Sequence, residues 1–157
     1  MPRIELRTEI KASKEIVFDP SRSIDLHKIS TEHTNEEAIA GKTSGLIGLD
    51  ESVTWRAKHF GIYQKLTSKI TEFERPNLFV DAMVNGAFKS FRHEHHFTDF
   101  NGGTVMIDYF DYKSPLGVLG KIADKLFLKK YMVDLLEKRN KTVKEFAESD
   151  KWKQLMT

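Results

Sequence analysis

Phe91-Arg92-His93-Glu94-His95-His96-Phe97 runs forward into Asn101-Gly102-Gly103, and the chain returns as Val105 through Tyr112. Two runs rich in aromatic and β-branched residues around Asn-Gly predict a β-hairpin with a tight turn. With Asn101-Gly102 at the centre of the turn, facing residues have numbers that sum to 203. Phe97 then opposes Met106, His95 opposes Asp108, His93 opposes Phe110 and Phe91 opposes Tyr112. The other face pairs Arg92 with Asp111 and Glu94 with Tyr109. A direct Arg–Asp pair suits the solvent face, so the Phe-rich face with His93, His95 and Asp108 is expected to point inward. A slip of one residue would turn that whole set outward.

The same period of two extends toward the N-terminus. Leu78 to Val84 reads as a strand with Phe79, Asp81 and Met83 on one side, preceded by a turn at Arg75-Pro76-Asn77. Gln64, Leu66, Ser68 and Ile70 alternate with Lys65, Thr67 and Lys69. Before the turn at Gly61, Val53, Trp55, Ala57 and His59 alternate with Thr54, Arg56 and Lys58. Ala38 to Ala40 forms a short strand bounded by Gly41. At the start of the chain Ile4, Leu6, Thr8 and Ile10 alternate with Arg3, Glu5, Arg7 and Glu9. Between that first strand and the rest, Ser13 is the expected cap of a short helix that Pro20 ends. Ser23 to Lys28 forms a second. Consecutive strands joined by turns, without helices between them, predict an antiparallel meander.

After Pro115 the pattern changes to a helical period. Leu128, Met132, Leu135, Leu136, Val143 and Phe146 form an apolar stripe in a segment, Leu116 to Ala147, that has no proline. The reading is one long amphipathic helix with an early bend near Gly120. No repeat or low-complexity linker divides the 157 residues, which are read as a single domain, 1–157. The fold class is therefore α+β: a curved antiparallel sheet of six to seven strands wrapped around a long C-terminal helix, with two short helices after the first strand. A helix laid across a curved sheet leaves part of the concavity unfilled, so an apolar pocket is expected between them.

Composition removes several classes of function. There is no cysteine, hence no disulfide framework, thiolate nucleophile or cysteine zinc site. The 25 basic and 23 acidic residues are interleaved and no basic stripe suggests nucleic-acid binding. The richest basic stretch, Lys121 to Lys130, is broken by Asp124 and reads as a solvated helix face. The N-terminus has no apolar core of a signal peptide and no run suits stable membrane insertion, so a cytoplasmic location is expected. The glycines at 45–48 and 102–103 lack a phosphate-loop pattern and read as turns. No cofactor is expected.

Several motifs carry a resemblance that covers nearly the whole chain: Glu51-Ser52-Val53-Thr54-Trp55, Pro76-Asn77-Leu78-Phe79-Val80-Asp81, the Phe91–Phe97 run, Gly103-Thr104, Asp108, and Tyr112-Lys113-Ser114-Pro115-Leu116-Gly117. They are similar to those of small bacterial proteins of the START-like, or SRPBCC, superfamily, which includes pollen-allergen-type carriers and polyketide cyclase/dehydrase-like proteins. The resemblance implies the helix-grip fold and a cavity for a hydrophobic small molecule or lipid. It also leaves open a cyclase-like enzyme, or a regulatory or interaction protein of the kind sometimes labelled a cell-division inhibitor. Fold alone does not choose between them.

The inward polar group has three readings. A hydrogen bond from His95 to Asp108 would satisfy both as ordinary buried polar groups. Alternatively, His93 and His95 meet the polar end of a ligand, or act with Asp108 as an acid–base group on a carbonyl-bearing substrate. A metal is not expected, because His-x-His plus one carboxylate is incomplete. No serine or threonine is marked as a nucleophile. Asp81 is a further inward candidate, better read as a salt bridge or solvent contact than as catalytic. Arg139, on the helix stripe, is expected to pair with Asp108, to reach solvent, or to contact an anionic head group. Trp55, Leu66, Phe79, Phe91, Phe97, Met106, Met132 and Leu135 are the expected apolar lining.

Overall fold

A computed structural model describes residues 2–114 and 127–156. The expected start of the long helix at Leu116, its bend near Gly120 and most of the basic stretch fall in 115–126, outside the described residues. Seven strands form one antiparallel sheet: β1 (Arg3–Ile10), β2 (Glu37–Gly41), β3 (Ser52–His59), β4 (Ile62–Glu74), β5 (Leu78–Asn85), β6 (Ser90–Phe100) and β7 (Gly103–Lys113). Their spatial order is β1-β7-β6-β5-β4-β3-β2, so the chain meanders from β2 to β7 and β1 closes on β7. The sheet is open, with β1 and β2 at its edges.

The β6–β7 register is the one the Asn-Gly turn predicts. Phe97 faces Met106, His95 faces Asp108 and Arg92 faces Asp111, through to Phe100 and Gly103. Asn101 and Gly102 both have positive φ, 49° and 79°, as a turn matched to the right-handed twist of a hairpin requires. Register shifts in β4 against β5, at Thr67/Ser68 and Ile70/Glu72, and in β2 against β3, at Ala38/Ala40, bend the strands and curve the sheet.

Two short helices, α1 (Lys14–Ser21) and α2 (Ile24–Ser30), cover one end of the concave face. Helix α1 begins at Ser13 as expected, but through the backbone: the Ser13 carbonyl accepts from the Val17 N–H at 3.1 Å and its hydroxyl makes no cap bond. Pro20 does not end it. A proline in the last turn costs one backbone bond, and the helix runs one residue further to Ser21. Ser23 caps α2 through its side chain, accepting from the Leu26 N–H at 3.1 Å.

The long helix α3 (Lys129–Ala147) packs on α1, α2 and β1. Its C-terminal half is buried at Arg139, Asn140, Val143, Phe146 and Ala147, while Met132, Leu135 and Leu136 are only half-buried. This is the helix-grip arrangement that the resemblance implied. Under α1 the concavity is filled by Phe18, fully buried, whose ring meets Phe73, Phe79 and Phe97 edge-on at 5.5, 5.3 and 5.1 Å.

Because Phe18 joins α1 to three strands, Phe18→Ala should leave an unfilled core site. It is expected to lower stability by about 3–5 kcal/mol in denaturant melts.

Candidate functional site

Beyond Phe18 the concavity stays open. An apolar-walled cavity of about 480 Å³ lies between the sheet and the N-terminal half of α3. Trp55, Leu66, Phe79, Asp81, Phe91, His93, His95, Met132, Leu135 and Arg139 all line it. Phe97, Met106 and Asp108 do not. Phe97 and Met106 point to the concave face as anticipated, but α1 covers that part of it. Phe18 lies on Phe97, and the Ser21 hydroxyl is 3.5 Å from the Met106 sulfur. Asp108, 1% exposed, sits behind the imidazoles rather than beside the open space.

The polar end of the cavity is built from four elements. His93 and His95 come from β6, Asp108 from β7, Asp81 from β5, and Arg139 with Asn140 from α3. Asp108 does accept a hydrogen bond from a histidine, but from His93, whose Nε2 lies 2.8 Å from Oδ1. The expected His95–Asp108 contact is the longer of the two, Nδ1 lying 3.3 Å from Oδ1, because His95 turns its Nε2 to Asp81 Oδ1 at 2.7 Å. Asp81 is thus neither a strand-end solvent contact nor a lone carboxylate. It faces His93 across the β5–β6 ladder and accepts the hydrogen bond of His95 on the diagonal. The two imidazoles stack at 3.7 Å, and His95 stacks on Phe79 at 4.1 Å.

Arg139 does pair inward. Its Nη1 donates to Asp108 Oδ1 at 3.4 Å and to Asn140 Oδ1 at 2.9 Å. Its Nη2 donates to the Ser21 carbonyl at 2.7 Å and approaches His95 Nδ1 at 3.3 Å. Asn140, which the sequence reading did not single out, donates to Asp108 Oδ2 at 2.7 Å. Its place beside Arg139 on the buried face of an otherwise polar turn was the available signal. With these bonds made, Arg139 is occupied by the protein itself.

Burial opposes the Asp108 charge, yet the contacts with His93 and His95 and the Arg139 cation hold its carboxyl well below the usual range. Asp81 is held low in the same way, burial being outweighed by His95, His93 and Arg139. Burial and the neighbouring His95 push His93 down, against the pull of both carboxylates.

Asp81, His93 and His95 bring one ligand-type atom each within 4.8 Å of one another, a donor set the sequence reading did not assemble because it left Asp81 apart. A divalent metal placed there would have to displace the proton that His95 gives Asp81. A second polar group lines the cavity nearer the start of α3. His27 Nε2 meets Glu36 Oε1 at 2.9 Å, and His59 Nδ1 bonds the Tyr131 hydroxyl. Burial lowers the pKa of His59. His59 ends the inward alternation of β3 and was legible on that ground; Glu36, in a connection, was not.

The solvent face corrects one detail. Arg92 and Asp111 are opposite in register, but Arg92 donates to Glu72 at 2.7 Å, and Asp111 is taken by Arg3 of β1 at 2.8 and 3.1 Å. An edge strand supplied the nearer guanidinium.

No protein-family model matches the chain, and no curated protein matches its sequence. Solved structures do match its fold. The protein TTHA0849 from Thermus thermophilus is 18% identical with a TM-score of 0.75, over 93% of this chain and 97% of that one. A START superfamily protein from Mycobacterium smegmatis is 12% identical with a TM-score of 0.68, over 91% and 97%. The di-domain ARO/CYC StfQ from the steffimycin biosynthetic pathway is 11% identical with a TM-score of 0.73, over 93% of this chain and 50% of that one. At these identities the likeness is one of fold, and the fold shared is the helix grip.

The buried group sets how the protein responds to mutation and to acid. Asp108→Ala strips partners from His93, Asn140 and Arg139 and leaves a buried cation uncompensated, so denaturant melts should show a loss of about 3 kcal/mol or more. Asp111→Ala removes only a partly exposed pair with Arg3 and should cost less than about 1 kcal/mol. Acid should act in two stages. His93 is harder to protonate folded than unfolded, so stability falls as pH drops below its ordinary 6.5. Asp108 and Asp81 are easier to ionise folded, so a second loss begins below about 3.8. Urea melts from pH 8 to pH 3 check both stages, and His93→Gln should flatten the first.

Proposed function

We propose that this chain, 1–157, is one START-like domain that binds a hydrophobic or amphipathic small molecule between its sheet and α3. The observation that carries the reading is the cavity itself. At about 480 Å³ it has the size of a small-molecule site, and its walls are mainly apolar and aromatic, with convergent polar groups at one end. Burial of the ligand's apolar surface drives binding, at about 25 cal/mol per Å² before ordering costs. Trp55, Leu66, Phe91, Met132 and Leu135 supply apolar contact; Phe79, stacked on His95, joins the apolar wall to the polar end.

Among the described residues no helix is long and apolar enough to cross a membrane. The cyclase-like alternative draws support from the two His–carboxylate pairs beside the cavity and from the likeness in fold to StfQ. Against it, His95 Nε2 and both terminal nitrogens of Arg139 already bond within the protein, so the group offers few donors to stabilise an enolate, which catalysis on a carbonyl compound requires.

A neutral apolar fluorophore, N-phenyl-1-naphthylamine, should bind the purified protein with Kd on the order of micromolar. Leu135→Lys, which buries a charge in the wall, should weaken it at least about tenfold while leaving the far-ultraviolet spectrum unchanged. Absence of binding by well-folded protein across a broad panel of apolar probes would sink the carrier reading.

A further inference from the structure

The hydrogen bonds of the polar end fix what it offers to a guest. Asp81 and Asp108, both held ionised, can only accept, so the nitrogen hydrogen-bonded to each carries a proton: His93 Nε2–H points to Asp108 and His95 Nε2–H to Asp81. His95 Nδ1 lies 3.3 Å from both Arg139 Nη2 and Asp108 Oδ1, so it is engaged within the group rather than offered to the cavity. What remains at the cavity wall is His93 Nδ1, which has no hydrogen bond among the described residues although His93 is 6% exposed, and the Oδ2 of Asp81. His93 Nδ1 lies 4.0 Å from Asp81 Oδ1. Two acceptors thus share one buried corner with no donor between them among the described residues.

Charge points the same way. Two carboxylates, Asp81 and Asp108, stand against the single guanidinium of Arg139. The other guanidinium on the cavity wall, that of Arg22, is held by Asp19 at 3.0 Å and by the Ile47 carbonyl at 3.1 Å. Ser68, also on the wall, has a hydroxyl that can serve either role.

We infer that the polar end takes an apolar ligand through a hydrogen-bond-donating head, a hydroxyl or a protonated amine, received by Asp81 and His93, and that it rejects a carboxylate. The inference rests on the binding reading above and specifies its ligand. A hydroxyl or ammonium fills the gap between two unmet acceptors, whereas a carboxylate would bring a third like charge into a buried group and leave both acceptors unmet. Rejection by repulsion, added to attraction for the right head, is how a site separates molecules with the same tail. Asp81 and His93 are the residues that set this specificity; Asp108 and Arg139 position them.

The test is a matched series, decanol, decylamine and decanoate, displacing N-phenyl-1-naphthylamine from the wild-type protein at pH 8. Decanol and decylamine should each compete at least about tenfold better than decanoate, a difference of about 1.4 kcal/mol. Asp81→Asn, which keeps an acceptor for His95 but removes the charge, should weaken decylamine at least about tenfold and bring decanoate up toward decanol. Decanoate equal to or better than decanol on the wild type would overturn the inference while leaving the cavity reading intact. Failure of the fluorophore to bind would overturn both. Titration with zinc after chelator treatment supplies the last arm: one equivalent bound, lost in Asp81→Asn and not displaced by decylamine, would assign the two acceptors to a metal and overturn the organic head.

Discussion

Asp108 is a carboxylate 1% exposed in the middle of a sheet, and its charge has to be met from every side. A charge so buried is tolerated only when its oxygens are fully engaged. The engagement recruits β6 through His93 and α3 through Arg139 and Asn140, and Arg139 in turn reaches the Ser21 carbonyl at the end of α1. One hairpin and two helices distant from it in sequence are therefore tied at one point. The sheet, the short helices and the long helix could pack by apolar contact alone, but apolar contact is non-directional. The bonds to Asp108 fix the height and rotation of α3 over the sheet, and with them the room left beneath its N-terminal half.

The cavity follows from unequal filling of one concave surface. At the end covered by α1, Phe18 occupies the space and draws Phe73, Phe79 and Phe97 around it. At the other end the half-buried side of α3 overlooks the sheet, and among the described residues no aromatic of comparable depth descends from it. His95 stacks on Phe79 and so forms the boundary between the packed and the open regions. The polar residues stand where the core stops, which gives an apolar chamber one chemically distinct wall.

Most of the architecture was legible because it rests on local rules. Asn101-Gly102 specifies a two-residue turn through its positive φ angles, and that turn fixes every pair from Phe91–Tyr112 to Phe100–Gly103. Period two located the strands, and the stripe Met132, Leu135, Leu136, Val143 located α3. The side-chain partners were less legible. The β5–β6 connection is not a tight Asn-Gly turn, so the sequence did not set the register that brings Asp81 to His93 and, diagonally, to His95. The rivalry between Asp81 and Asp108 for two imidazoles could not be resolved by spacing. The burial of Phe97 and Met106 under α1 depends on where a short helix lies over the sheet, a tertiary matter that alternation does not encode. Arg3 likewise reached Asp111 from a strand 108 residues away.

An open sheet has two free ladders, and each is an invitation to a further strand. On β2 the register shift at Ala38/Ala40 interrupts the row of backbone groups after a few residues, and the strand is only five residues long. On β1, Arg3, Glu5, Arg7 and Glu9 place alternating charges along the outer face, with Arg3 drawn back onto Asp111. A second chain pairing with either edge would meet a kinked, truncated template on one side and a charged border on the other. The irregularity that curves the sheet around its cavity therefore also makes its β2 edge a poor template for a further strand.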